Sequence, residues 1–272
     1  MTCHSSCTQN MQTPTKNPTV FRLIDSTGAS LASDNEMTVT GTIPMFGVEK
    51  HISIQILDQF ARLPDLVPLA RALCDAMVSE VIDHSRMHGK KPVCGKKCSA
   101  CCSYLVPLSI PETILLYEEI RSMPSEESGE FWDNSLSVAT HLLEDGSSDS
   151  PEHESSLPEV AKWYSDKQVS CPFLKNDLCA IYDKRPLACR EYMVTTPASG
   201  CRPGNMDPVE KVGLPYSLVE AVGEVAAQLE GTPVEAIMLP LILPWIQENR
   251  ERAQRKWSAQ KMAQCLLNVL GG

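Results

Sequence analysis

Residues Cys94 to Cys102 read CGKKCSACC, four thiols within nine residues. A second group answers it downstream: Cys171, Cys179 and Cys189, set in CPFLKNDLCAIYDKRPLACREY, and then Cys201. Spacings of two or three residues let a tight turn point two thiolates at one ion, while backbone N–H groups of the turn donate to the sulfurs. Adjacent side chains diverge, so Cys101 and Cys102 on a single mononuclear ion would be strained. One of the two is expected to face the site. The other takes a second metal position, a bridging role or a buried place.

Compartment decides what so many thiols mean. The N-terminal MTCHSSCTQNMQTPTK lacks a basic start followed by an apolar core, so no secretory signal is read there. The longest apolar run, Ala236 to Ile246, is broken by Pro240 and Pro244 and falls short of the roughly 20 residues that span a bilayer. A cytoplasmic protein without a membrane anchor is expected. In a reducing compartment twelve cysteines read as metal ligands or redox groups rather than as structural disulfides. The net charge of -10 and pI near 5.1 argue against a phosphate-tracking face, and nucleic acid is not an expected partner.

At 272 residues and 43% apolar, the chain is long enough for one large domain or a core domain with appendages. The pattern predicts an α+β fold, mainly helical. Residues 1–17 read as a disordered tail, in which Cys3, His4 and Cys7 are more plainly tail residues than ligands. Residues 18–57 hold three strand signals, Val20 to Ile24, Met37 to Thr40 and His51 to Ile56, taken as a small antiparallel meander. Residues 58–205 form the cysteine-cluster domain, with an acidic, serine-rich insert at 124–158, and residues 206–272 form a helical region. The insert carries a short helical pattern through Phe131, Val138 and Leu142, followed by an acidic loop from Glu144 to Ser156. That loop reads as disordered, with docking to a basic protein partner the weaker alternative.

The helix after Pro68, with Leu69, Leu73, Met77 and Val81 at helical spacing, is expected to cover the isoleucine face of the sheet. Cys74 on it reads as core, and His84 and His88 as exposed helix-end residues rather than a metal pair. Lys90, Lys91, Lys96 and Lys97 surround the first cysteine loop, either offsetting thiolate charge or forming a solvated face. Ser109 and Glu112 bracket a helix start as a capping box. Cys171 and Cys179 sit on the two arms of a hairpin around Lys175-Asn176-Asp177, a plausible ligand clip. Asp183 to Pro186 starts a helix that carries Cys189 and Arg190 in its first turn, where the partial positive charge of the helix end favours thiolate. In the C-terminal part, Gly231 stops one helix, Thr232 to Glu235 starts another, and Cys265 belongs to a final apolar stripe. Arg250, Arg252, Arg255 and Lys256 read as a solvated basic patch.

The order Cys94-x3-Cys98-x2-Cys101-Cys102, then Pro107-Leu108, Glu112, CPFL, CAIY, Arg185-Pro186 and Cys189-Arg190, resembles the YkgJ-type cysteine-cluster family over roughly residues 92–203. That family is described as zinc- or iron-chelating. The resemblance implies metal ligation by Cys94, Cys98, Cys101, Cys102, Cys171, Cys179, Cys189 and Cys201. A few members resemble flagellin lysine N-methylase, which implies an iron-sulfur centre and methyl transfer from S-adenosylmethionine. Residues 1–60 and 124–158 have no counterpart there, and no cofactor-pocket signature appears. The first three cysteines also reproduce the CxxxCxxC spacing of radical S-adenosylmethionine enzymes, but the strand-helix repeats of their barrel are missing from the pattern.

The expectation is therefore a thiolate site that holds a [4Fe-4S] cluster, with tetrathiolate zinc as the alternative. A structural or storage zinc module and a protein N-methyltransferase-like enzyme are the competing functional classes. A thiol-disulfide oxidoreductase is the third, and the CxxC pair on a βαβ frame that it needs is missing.

Overall fold

The computed structural model describes residues 19–24, 37–144, 157–202, 205 and 208–272. The readings of Cys3, His4 and Cys7, and of the acidic segment 145–156, lie outside the described residues. Strands β1 (Phe21–Ile24), β2 (Met37–Met45) and β3 (Val48–Ile56) are followed by β4 (Phe60–Arg62) and the long helix α1 (Val67–Met87). Next come β5 (Pro107–Ser109), α2 (Ile110–Arg121), α3 (Ser125–Glu144) and α4 (Leu157–Asp166). A short hairpin, β6 (Leu174–Lys175) and β7 (Leu178–Cys179), leads to α5 (Leu187–Glu191). The chain ends with α6 (Leu218–Glu230), β8 (Ala236–Met238), α7 (Ile242–Glu248), β9 (Lys256–Ser258) and α8 (Ala259–Gly271). This is the mixed, mainly helical α+β class that the sequence predicts.

The three N-terminal strands form an antiparallel sheet in the order β1-β3-β2, with β3 in the middle rather than the sequential order of a meander. β2 and β3 run longer than their apolar cores suggest because Phe46 and Gly47 both take positive φ, the two-residue turn whose twist suits a hairpin. Ile54 is fully buried and Ile56 nearly so. Their cover also departs from expectation. The last helix, α8, packs along β2 and β3, while α1 lies against β1. The approach of α8 is close enough that a Cβ on Gly271 would sit 2.9 Å from the Thr42 carbonyl oxygen.

Other differences have local causes. α3 is a continuous 20-residue helix where only a short helical pattern is expected; Glu126 and Glu127 fall in its first turn, where carboxylates oppose the dipole. Residues 232–235 do not start a helix. Gly231 ends α6 at φ 70 as expected, and the chain then extends into β8, which pairs with β5 through Pro107↔Met238 and Ser109↔Ala236. Arg252 is not a solvated cation: it is clasped by Glu230 (Nη2 to Oε2, 2.7 Å) and Glu235 (Nη2 to Oε1, 2.9 Å).

A buried carboxylate joins the scaffold to the cysteine region. Glu112 completes the capping box at the start of α2, its Oε2 accepting from the Ser109 hydroxyl at 3.0 Å. Its Oε1 accepts from the Leu187 backbone N–H at 2.8 Å, the first residue of α5. One side chain thus satisfies orphan donors at two helix starts. Burial pushes its carboxyl above the usual range, opposed by these hydrogen bonds. Arg190 adds a second tie, reaching Asp75 of α1 at 2.6 Å and the carbonyls of Arg185 and Asp183. Glu191 then accepts from the N–H groups of Leu218 and Val219 at the start of α6. Replacing Glu112 by Ala strands donors in the core, at about 1–3 kcal/mol. Denaturant unfolding of metal-free Glu112→Ala should show a lowered midpoint of that order, and an unchanged midpoint would contradict this role.

Candidate metal centre

The first cysteine loop leaves α1 through Gly89 at φ 74 and is built of successive turns: Cys98 N–H to Gly95 O, Cys102 N–H to Ser99 O and Tyr104 N–H to Cys101 O. Two backbone bonds tie it to the second group. Cys171 N–H donates to Cys102 O at 2.6 Å, and Val93 N–H to Val194 O at 3.0 Å. The β6–β7 hairpin turns at Asn176 and Asp177, both at positive φ, residues that tolerate this conformation well. Cys179 lies on β7, whereas Cys171 precedes β6 in a turn closed by Leu174 N–H to Cys171 O.

These elements bring Cys94, Cys98, Cys101, Cys102, Cys171, Cys179 and Cys189 around one cavity of about 200 Å³. Cys201 is not in that wall. It is buried in the turn at Ala198–Cys201, near enough to Tyr192, Cys98 and Cys101 to feel their charges. Cys74 is buried in α1, as expected of a core thiol, and Cys265 lies on α8 at the edge of the core. His84 stacks on Phe46 at 4.0 Å, and His88 Nδ1 lies 2.8 Å from the His84 carbonyl oxygen, which suits helix-end residues.

Cys101 and Cys102 depart from the divergence expected of neighbours. Both line the cavity, and the Cys102 thiol lies close enough to Cys101 to raise it. The reason is the backbone, which turns at both residues instead of running extended. Among the described residues, no three His, Cys, Asp or Glu side chains already form a group placed to hold one metal ion; the sulfurs ring a space.

Electrostatics set what this ring needs. Burial raises the thiols of Cys94, Cys179 and Cys201, pushes Cys171 up to about 12 and holds Cys189 well above the ordinary value. Cys101 is raised first by the nearby Cys102 thiol and then by burial. Opposing this, backbone N–H groups approach three sulfurs: Val194 at Cys94, Phe173 at Cys171 and Ile181 at Cys179. In the last two the donor lies two residues after the cysteine, so a tight turn aims its own N–H at the sulfur. Such donors favour thiolate and orient it. The all-sulfur donor set and these N–H groups fit a thiophilic metal, zinc or iron.

The lysines of the first loop are exposed. Lys90 pairs with Glu210 at 2.5 Å and Lys96 with Asp183 at 3.5 Å. The cations on the cavity wall are instead Arg185 and Arg190, and Arg190 is engaged by Asp75 and two carbonyls; the sequence presents Arg185 at a helix start, and the Arg-Pro step next to a cysteine-bearing helix was the available signal. A second hollow of about 380 Å³ shares Cys101, Val106, Cys189 and Tyr192 with the cavity and is otherwise lined by Tyr104, Leu105 and Lys162 among others. Every strand pair is antiparallel among the described residues, unlike the parallel barrel of radical S-adenosylmethionine enzymes.

No helix among the described residues is long and apolar enough to cross a membrane. No curated protein and no solved structure matches the chain. Residues 93–207 match the family model CxxCxxCC, described as a putative zinc- or iron-chelating domain, and that span covers the whole ring of thiols together with Cys201. Over that span the chain is similar to the CxxCxxCC cysteine-cluster domain.

Proposed function

We propose that this protein holds an iron-sulfur cluster, of the [4Fe-4S] type, on thiolates drawn from Cys94, Cys98, Cys101, Cys102, Cys171, Cys179, Cys189 and Cys201. The observation that carries this reading is the convergence of seven thiols from two distant segments on one cavity. The N–H groups at the Cys171 and Cys179 sulfurs support it. Such a cluster supplies electron transfer, or an iron site where a molecule can bind. Zinc is the competing occupant, since the same sulfurs suit it. A reducing, cytoplasmic setting is part of this proposal, because it keeps the thiols available.

Protein purified without oxygen should be brown and contain iron and acid-labile sulfide. Colourless protein with zinc and neither iron nor sulfide would replace the cluster with a zinc centre. Cys101→Ser and Cys189→Ser should each lower the metal content, whereas Cys74→Ser and Cys265→Ser should leave it unchanged; equal metal content in all four variants would sink the ligand assignment.

Loading is also expected to depend on pH. With their pKa values raised, Cys94, Cys101, Cys171, Cys179, Cys189 and Cys201 carry protons near neutrality in the metal-free fold, and a metal has to displace them. Affinity should therefore rise with pH and weaken as pH falls, with protons released on loading into unbuffered solution. The metal-free fold behaves oppositely. Raised thiol pKa values favour it below the ordinary thiol range, and that advantage is lost as pH climbs through the folded values.

The hollow that shares Cys101 and Cys189 with the cavity favours a second reading, in which the centre acts on a molecule bound beside it. A protein N-methyltransferase-like enzyme is one such case. Calorimetric titration of loaded protein with S-adenosylmethionine should then show saturable binding, and a flat titration removes that case.

A further inference from the structure

Arg185 lines the cysteine cavity and acts electrostatically on Cys101 and Cys179, favouring their thiolate forms. Its Nε is buried and has no hydrogen-bond partner among the described residues. A buried donor left unpaired is costly, and native structures hold few of them. The side chain is nevertheless held in place. Its guanidinium stacks on the Tyr182 ring, with 4.0 Å between Cζ and the ring centroid, and Arg190 Nε donates to the Arg185 carbonyl at 3.0 Å.

The other cations nearby are engaged elsewhere or, like Lys91 and Lys97, exposed. Arg190 is spent on Asp75 and two carbonyls, and Lys90 and Lys96 are exposed and paired with carboxylates. What is left on the cavity wall is a fixed positive charge with an unused donor, in a cavity lined by seven cysteines. A metal-bound thiolate is the acceptor that would complete it. Collecting four or more thiolates on a zinc ion or a cluster leaves excess negative charge in a buried place, and a fixed cation offsets part of it.

Resting on the metal-centre reading, we propose that Arg185 is a positioning residue of that centre. Its Nε–H donates to a metal-bound sulfur of Cys101 or Cys179, and its guanidinium offsets the charge of the assembled thiolates. The planar stack on Tyr182 makes arginine the suited residue, since a lysine ammonium keeps the charge but neither stacks flat nor presents a fixed fork.

The test uses full-length protein and zinc as the probe, because zinc binds the same sulfurs whichever metal is native. Zinc affinity is measured by chelator competition across a pH series for wild type, Arg185→Lys and Arg185→Met, with thermal melts of each metal-free protein. Arg185→Met should bind about 10- to 100-fold more weakly at neutral pH, and its loading curve should move to higher pH. Arg185→Lys should recover part of both effects, and the metal-free melts of the three should coincide. Arg185→Met binding zinc within twofold of wild type, with the same pH profile, overturns the inference. So does an equal loss in both variants that tracks a lowered metal-free melt, which marks a structural role. Wild type that takes up no metal overturns the metal reading and this inference together; wild type that loads while Arg185→Met matches it overturns this inference alone.

Discussion

Thiols crowded around a small buried space impose one constraint on everything near them. Each can become a ligand only by giving up its proton, and burial opposes that step, as the raised Cys171 and Cys189 show. Negative charge gathered there has to be met by a metal, by N–H dipoles and by fixed cations, since burial weakens its solvation. The turns at Cys171 and Cys179, each presenting an N–H to its own cysteine sulfur, and the guanidinium of Arg185 are local answers to that demand. The lysines of the first loop are not, because their partners and exposure place them in solvent.

Holding such a ring requires that distant segments stay in register. The cysteine-bearing helix α5 is only five residues long, too short to be stable by its own hydrogen bonds. It is fixed from three sides: Glu112 caps its start, Arg190 ties it to α1, and Glu191 caps the helix that follows. The stretch Arg185-Pro-x-x-Cys189-Arg190 is thus divided between chemistry and carpentry. Arg185, Cys189 and Arg190 all line the cavity, but the hydrogen bonds of Arg190, like those of Glu112, go to the frame. The strand pair β5–β8 performs a related task, anchoring the segment after the first cysteine loop to the C-terminal part of the chain.

This arrangement bears on the competing functional classes. A thiol-disulfide oxidoreductase works through one reactive pair whose thiolate is stabilised at a helix start, but here burial raises Cys94, Cys171, Cys179 and Cys189. A purely structural zinc module closes over its metal. The open hollow that shares Cys101 and Cys189 gives the cysteine cavity a neighbour that a sealed site lacks.

Local signals were legible in the sequence wherever chemistry is set by near neighbours. The Ser109–Glu112 capping box, the left-handed stop at Gly231, the hairpin between the second pair of cysteines and the three N-terminal strands all depend on a few adjacent residues. The cysteine order itself announced a metal-binding domain. Contacts between segments far apart were decided only by tertiary structure. The sheet lies under α8, more than 200 positions later in the chain than β2, because burying a sheet face depends on which apolar surface reaches it and not on sequence proximity. Residues 236–238 became a strand because β5 offered unpaired backbone groups there. Arg252 looked like one of several surface cations until Glu230 and Glu235 closed on it, and Arg185 looked like part of a helix start until the cavity formed beside it. Periodicity tells which residues need burial or partners; the packed chain alone decides which partners they receive.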